Sequence, residues 1–77
     1  MSGKSHKRHI DEQYIIILRI DWIRDRLARG IPFNSRDIVA EFDVAARTAY
    51  RDIRFCKLQY YGDRLKFDIP NRTFYLV

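Results

Sequence analysis

Apolar residues recur every three or four positions across the first half of this 77-residue chain, which is the period of an α-helix. The pattern predicts a first helix from about Asp11 to Arg29, and Gly30 and Pro32 end it because neither residue continues a helix well. The residues expected to form its core stripe are Ile16, Ile20, Ile23 and Leu27. A second apolar set on the opposite side of the helix comprises Tyr14, Ile15, Leu18 and Trp22.

The polar residues after this segment predict a second, shorter helix. Asn34 is a suitable N-cap for a helix from about Ser35 to Phe42, and Asp37 stands three positions later in a weaker form of the capping box. Asp43 then tolerates the backbone angles of a tight turn better than most residues do. The residues of this helix that are expected to face inward are Ile38, Val39 and Phe42.

A third helix and a hairpin complete the pattern. The helix is predicted from about Ala46 to Gln59, and its inner face is expected to hold Ala49, Ile53, Cys56 and Tyr60. Alternating apolar and polar residues predict a strand from Leu65 to Ile69 and a returning strand from Thr73 to Val77, around a turn at 70–72. The chain is therefore expected to be mainly α with a small β-hairpin.

Charge is distributed unevenly along the chain. Residues 1–9 carry a net charge of +3, residues 10–43 hold five arginines against seven acids, and residues 44–77 hold seven basic residues against three acids. We interpret residues 1–9 as a disordered basic arm and residues 10–77 as one folded domain. A basic second half within a total charge of +5 favours a polyanionic partner such as nucleic acid.

Catalysis, metal binding and membrane insertion are not expected. The single cysteine, Cys56, excludes an intramolecular disulfide and a cysteine-based metal site, which fits a cytoplasmic protein. His6 and His9 lack a third ligand, and the apolar run from Ile15 to Leu18 is far too short to span a membrane. No catalytic residue, metal, cofactor or small-molecule effector is therefore predicted.

The outward face of the third helix is predicted to contact double-stranded DNA. Arg47 and Arg51, one turn apart, are the candidates for base edges, because a guanidinium group pairs bidentately with guanine. Tyr50 is expected at a thymine methyl group or a phosphate, and Thr48, in the first turn, at a phosphate. Arg54 lies further back, towards the DNA backbone. Further candidates for backbone contacts are Arg36, Lys66 and Arg72.

The segment from Ile17 to Val77 resembles the N-terminal winged helix-turn-helix domain of WYL-domain and DeoR-type bacterial transcription regulators. Its most specific stretch is Arg47-Thr48-Ala49-Tyr50-Arg51-Asp52-Ile53-Arg54-Phe55, which is similar to the recognition-helix signature of that family. The resemblance implies a three-helix winged helix-turn-helix that binds DNA through its third helix.

Three features depart from the family pattern. Asp43 stands where the family usually has glycine at the turn, and Ala45 stands where a serine usually caps the recognition helix. The loss of such a cap typically costs about 1 kcal/mol. The resemblance also stops at the wing, so we expect either a stand-alone regulator or a fragment without a sensing domain.

These patterns together predict a sequence-specific, double-stranded DNA-binding transcriptional regulator, a repressor that acts by occluding its operator. The alternatives are an architectural or excision factor of a mobile element, a winged-helix module that binds other proteins, and an RNA-binding domain.

A homodimer is also expected, because an exposed apolar stripe usually marks a partner surface. The predicted interface consists of Tyr14, Ile15, Leu18 and Trp22. The alternative is that the C-terminal hairpin covers this stripe within one chain, through Phe74 or Leu76.

Overall fold

Three helices precede one two-stranded antiparallel hairpin in the computed structural model, which describes the backbone of residues 2–77 and the side chains of residues 13–77. The helices are α1 (Ser2–Ala28), α2 (Ser35–Phe42) and α3 (Ala46–Cys56). A π-helical turn (Lys57–Tyr61) and a 3-10 turn (Gly62–Arg64) lead from α3 to strands β1 (Leu65–Asp68) and β2 (Thr73–Leu76). The predicted fold class, mainly α with a small β-hairpin in a winged arrangement, is confirmed.

Helix α1 begins ahead of the predicted start near Asp11. The arm predicted at residues 1–9 falls on Met1, which lies outside the described residues, and on positions whose side chains are not described, so its role stays a prediction. The end of α1 is closed by Gly30 in the left-handed region, at a φ of 68°. The amide of Ile31 donates to the carbonyl of Arg26 at 2.9 Å, which satisfies a carbonyl of the last turn.

The core lies where α1, α2 and α3 meet, and three of the four residues predicted for the α1 stripe are buried there: Ile20, Ile23 and Leu27. The prediction for Ile16 is wrong, since this side chain is 47% exposed. A 27-residue helix is about 40 Å long, whereas the two shorter dimensions of the molecule are 22 and 20 Å. The stripe therefore continues past the elements that pack on it.

Helix α2 has the predicted bounds and the predicted caps. The side chain of Asn34 accepts a hydrogen bond from the amide of Asp37 at 3.1 Å, and the amide of Asn34 donates to the Asp37 carboxylate at 2.9 Å. Asp43 closes the helix in the left-handed region, at a φ of 53°. The inward face is confirmed, since Ile38 is buried and Val39 and Phe42 are half-buried against the core.

Helix α3 buries Ala49, Ile53 and Cys56, as predicted, but its α-helical part ends before the predicted Gln59. Tyr60 was expected on the inner face and is instead 47% exposed. The π turn takes an additional residue, which rotates Tyr60 away from the face that a continuous α-helix would give it. Its ring lies 4.0 Å from the guanidinium carbon of Arg24 on α1.

The hairpin is anchored to the connection between α1 and α2. The amide of Phe74 donates to the carbonyl of Phe33 at 2.7 Å, and the two residues form a β-bridge. Phe33 is buried, and its ring lies 5.6 Å from that of Trp22 on α1. Leu65 enters the core from β1, whereas Ile69 at the start of the turn is 75% exposed. The bridge therefore fixes this wing beside the helices.

Candidate nucleic-acid interface

The outward face of α3 holds the residues predicted to contact DNA. Arg47, Arg51 and Arg54 are exposed, Tyr50 is 57% exposed and Thr48 is half-buried. Because Arg47 and Arg51 are four residues apart, their backbones are separated by about 6 Å along the helix axis. This spacing places two guanidinium groups in one line on the surface that faces away from the core.

Asp52 decides the charge of this face. The sequence places Asp52 at the edge of the arginine face, yet the side chain is buried and pairs with Arg19 of α1. The guanidinium Nε of Arg19 donates to one carboxylate oxygen, and Nη2 donates to the other at 3.5 Å. The one acid of α3 is thus turned inward, and the outer face presents arginines without a carboxylate among them.

The sequence contains an indication of this ion pair that the net charge of its segments does not reveal. Arg19 is the single charged residue in the apolar run from Tyr14 to Ile20. A buried arginine is rarely stable without a partner, so the position of Arg19 beside Ile20, a residue of the predicted core stripe, indicates an acid on a neighbouring element. Asp52, which shares the inner half of α3 with Ala49, Ile53 and Cys56, meets that requirement.

The first turn of α3 presents backbone amides outward. Ala45, the N-cap residue, makes no side-chain capping bond, while its carbonyl accepts from the amides of Thr48 and Ala49 at 3.0 and 3.2 Å. The amides of Ala46 and Arg47 precede the first intrahelical bond, as in any α-helix. They lie at the positive end of the helix dipole, where a phosphate oxygen is stabilised.

The wing comes close to the helices at one groove. Arg36 at the start of α2, Tyr50 on α3 and Arg72 in the hairpin turn line this groove together. Arg72 has a φ of 56°, a left-handed conformation that bends the turn. Lys66 lies on the other face of the hairpin, opposite Tyr75, and is not part of the groove. The structure thus brings Arg36, Tyr50 and Arg72 together and separates Lys66 from them.

The core under the interface contains a thiol. Cys56 is fully buried, and burial raises the pKa of its thiol from 9.0 to about 11, with the nearby Asp52 carboxylate adding to the shift. The thiol is therefore protonated at neutral pH and packs as a small apolar side chain.

The predicted dimer residues divide into two kinds. Tyr14, Ile15 and Leu18 are exposed, so the hairpin does not cover them. Trp22 is half-buried and makes edge-to-face contacts with Phe33 and Phe42 in the same chain. A partner surface on α1 would therefore lie before Arg19 rather than around Trp22.

Comparisons of the chain with protein-family models, with curated proteins and with solved structures give no match. Among the residues with described side chains, no group of three or more His, Cys, Asp or Glu is placed to hold a metal ion. Within the described part of the chain, no helix has the length and apolar character needed to cross a membrane.

Proposed function

We propose that this chain is a sequence-specific, double-stranded DNA-binding transcriptional regulator, a cytoplasmic repressor that works without a cofactor. The observation that carries the proposal is the arginine face of α3, from which Asp52 is withdrawn by its pair with Arg19. The surface of DNA carries negatively charged phosphates. A helix face with several arginines and no acid is attracted to these phosphates without an opposing repulsion. The resemblance of this helix to a WYL- and DeoR-type recognition helix supports the same function.

In this proposal α3 enters the major groove with its N-terminal half leading. Arg47 and Arg51 contact base edges, and Tyr50 packs on a thymine methyl group or donates to a phosphate. Thr48 and the free amides of the first turn bind a phosphate at the positive helix end. Arg54, further along, contacts the backbone and contributes affinity without sequence preference.

The wing holds the duplex from the side. Arg36 and Arg72 border the same groove as Tyr50, so a phosphate that lies in this groove meets cations from α2 and from the hairpin. Lys66, on the other face of the hairpin, is proposed to contact a more distant phosphate. A bound operator would then be covered on its major-groove side, which excludes RNA polymerase.

The first test is selection of bound sites from random duplex DNA, followed by shift assays with Arg47→Ala and Arg51→Ala. Each substitution should weaken binding to the selected site by roughly 1–3 kcal/mol and relax the preference at one base pair. The matched control is Arg29→Ala, because Arg29 is an exposed arginine just after the end of α1, outside α3, and pairs with Asp25.

Salt dependence completes the test. The logarithm of the affinity should fall linearly with the logarithm of the salt concentration, and Arg54→Ala should make the slope shallower by about 1 without changing the preferred sequence. Unchanged affinity in both Arg47→Ala and Arg51→Ala would exclude α3 as the DNA-contacting helix. Strong bending of random DNA without a selected motif would favour the architectural factor instead.

A further inference from the structure

Helix α1 is apolar on every side between Tyr14 and Leu18. Five consecutive residues of an α-helix cover its whole circumference, because each is rotated by about 100° from the last. All five are exposed, from 38% at Leu18 to 59% at Tyr14. A helix that is apolar all round is normally buried all round. No single face of the same chain could achieve that, so this segment requires a surface that surrounds it.

An apolar groove lies beside this segment, between α1 and the end of α3. Its apolar lining comes from Ile16, Ile17 and Ile20 on one side and from Phe55 and Tyr60 on the other. Phe55 and Tyr60 are 44% and 47% exposed, and their rings meet edge to face with centroids 6.3 Å apart. The groove thus offers two aromatic rings to an apolar helix.

We propose that the occupant of this groove is the Tyr14–Leu18 segment of a second copy of this chain. The projecting segment and the groove lie side by side on one molecule, so a single two-fold rotation seats the segment of each copy in the groove of the other. An unrelated helix would fill the groove but would leave the far sides of Tyr14, Ile15 and Leu18 in water. Only a reciprocal arrangement buries both apolar features of both molecules.

The available area agrees with a dimer of ordinary size. The segment and the groove together contain seven exposed apolar side chains, namely Tyr14, Ile15, Ile16, Ile17, Leu18, Phe55 and Tyr60. Together they expose on the order of 700 Å², against roughly 800 Å² that each partner buries in a standard interface. An apolar patch of this size on a single chain exceeds what monomers commonly leave exposed.

This arrangement differs from an interface centred on Trp22. It places Ile16 and Ile17 at the centre and keeps Trp22 in its contacts with Phe33 and Phe42. It also places Arg51, which borders the groove, at the edge of the dimer contact. The inference does not depend on DNA binding, because the surface that it uses is defined without any nucleic acid.

The test is sedimentation equilibrium on the full chain without DNA, at concentrations from about 1 to 300 µM. The native chain should show twice the monomer mass of 9.3 kDa. Ile17→Glu and Phe55→Glu should each give a folded monomer, since both side chains are exposed within the chain. The matched control is Ile69→Glu, an exposed apolar residue in the hairpin turn, which should stay dimeric.

A mixing experiment tests the reciprocal geometry itself. Tyr14→Lys and Phe55→Glu should each be monomeric alone and should form a heterodimer when mixed, because the lysine segment then meets the glutamate groove and the other segment and groove are both native. Tyr14 is the most exposed position of the segment and does not line the groove, so its substitution leaves the groove of that copy unchanged. A monomeric native chain at 300 µM (a high concentration for a specific dimer), a dimer that survives both glutamate substitutions, or folded variants that do not pair on mixing would each overturn the proposal.

Discussion

Removal of one partner of the Arg19–Asp52 pair should destabilise the fold more than any surface substitution. Both side chains are nearly out of contact with water, at 10% and 6% exposure, and they share two hydrogen bonds. Asp52→Ala leaves the Arg19 guanidinium buried without its carboxylate. Such an uncompensated buried charge typically costs about 3–5 kcal/mol. A domain of this size has a free energy of unfolding of roughly 5–10 kcal/mol, so the loss takes a large share of it.

Replacement of both partners should behave differently. Arg19→Met with Asp52→Leu exchanges two buried charges for apolar side chains of similar length, and such exchanges are neutral or stabilising by about 1–4 kcal/mol in other proteins. The sum of the losses in Arg19→Met alone and in Asp52→Leu alone should therefore exceed the loss in the double variant by several kcal/mol, and this excess is the coupling free energy of the pair.

Urea denaturation followed by circular dichroism measures the free energy of unfolding of the native chain, of Arg19→Met, of Asp52→Leu, of the double variant and of Asp52→Ala. Arg29→Ala supplies the control for an exposed pair, Arg29 with Asp25, and should change stability by less than about 0.5 kcal/mol. A loss below about 1 kcal/mol in Asp52→Ala would refute the reasoning, because it would mean that Arg19 reaches water at little cost.

Two further predictions concern α3. Ala45→Ser should raise the free energy of unfolding by about 1 kcal/mol in denaturation experiments, because the backbone at Ala45 is already extended (φ −69°, ψ 154°) and lacks a side-chain cap. Ala45→Gly should give a gain that is smaller by only a few tenths of a kcal/mol, because glycine is also a favourable N-cap, and equal stability of all three chains would contradict the capping argument. The Cys56 thiol should resist thiol reagents in the folded chain at pH 8 and react at once in denaturant. Because its folded pKa of about 11 lies above the unfolded value, stability should fall as pH rises from about 9 to 11, and this part of the fall should disappear in Cys56→Ala.

Local signals in the sequence determine α2 almost completely. Asn34 and Asp37 bond to each other's backbone, and Asp43 adopts the left-handed conformation that closes the helix, as their residue types predict. These features depend on contacts between residues three or four apart, which a single sequence displays directly. The exposure of the arginines on α3 follows in the same way from the 3.6-residue period.

Features that depend on distant residues could not be predicted in this way. Arg19 and Asp52 are 33 residues apart. The position of Arg19 indicates that it has an acidic partner, but the residues around Arg19 do not identify that partner as Asp52. Tyr60 lies within a π turn, which has no sequence signature of its own and displaces its residues from the α-helical period. Ile16 has the correct period for the core stripe, yet it is exposed because it lies in the part of α1 that extends beyond the elements that pack on this helix.

Contacts between residues that are distant in the sequence also determine the charge of the arginine face of α3. The pair with Arg19 fixes the rotation of α3 against α1 and withdraws the one acid of that helix, so the outer surface is basic because the inner surface holds the carboxylate. The bridge from Phe33 to Phe74 then sets where Arg72 stands relative to Tyr50, since Arg72 is two residues from the bridged strand position. A substitution at Phe33 should therefore alter the proposed DNA contacts at the wing while leaving the proposed contacts of Arg47 and Arg51 in place, because the two halves of the proposed interface are positioned by separate long-range contacts.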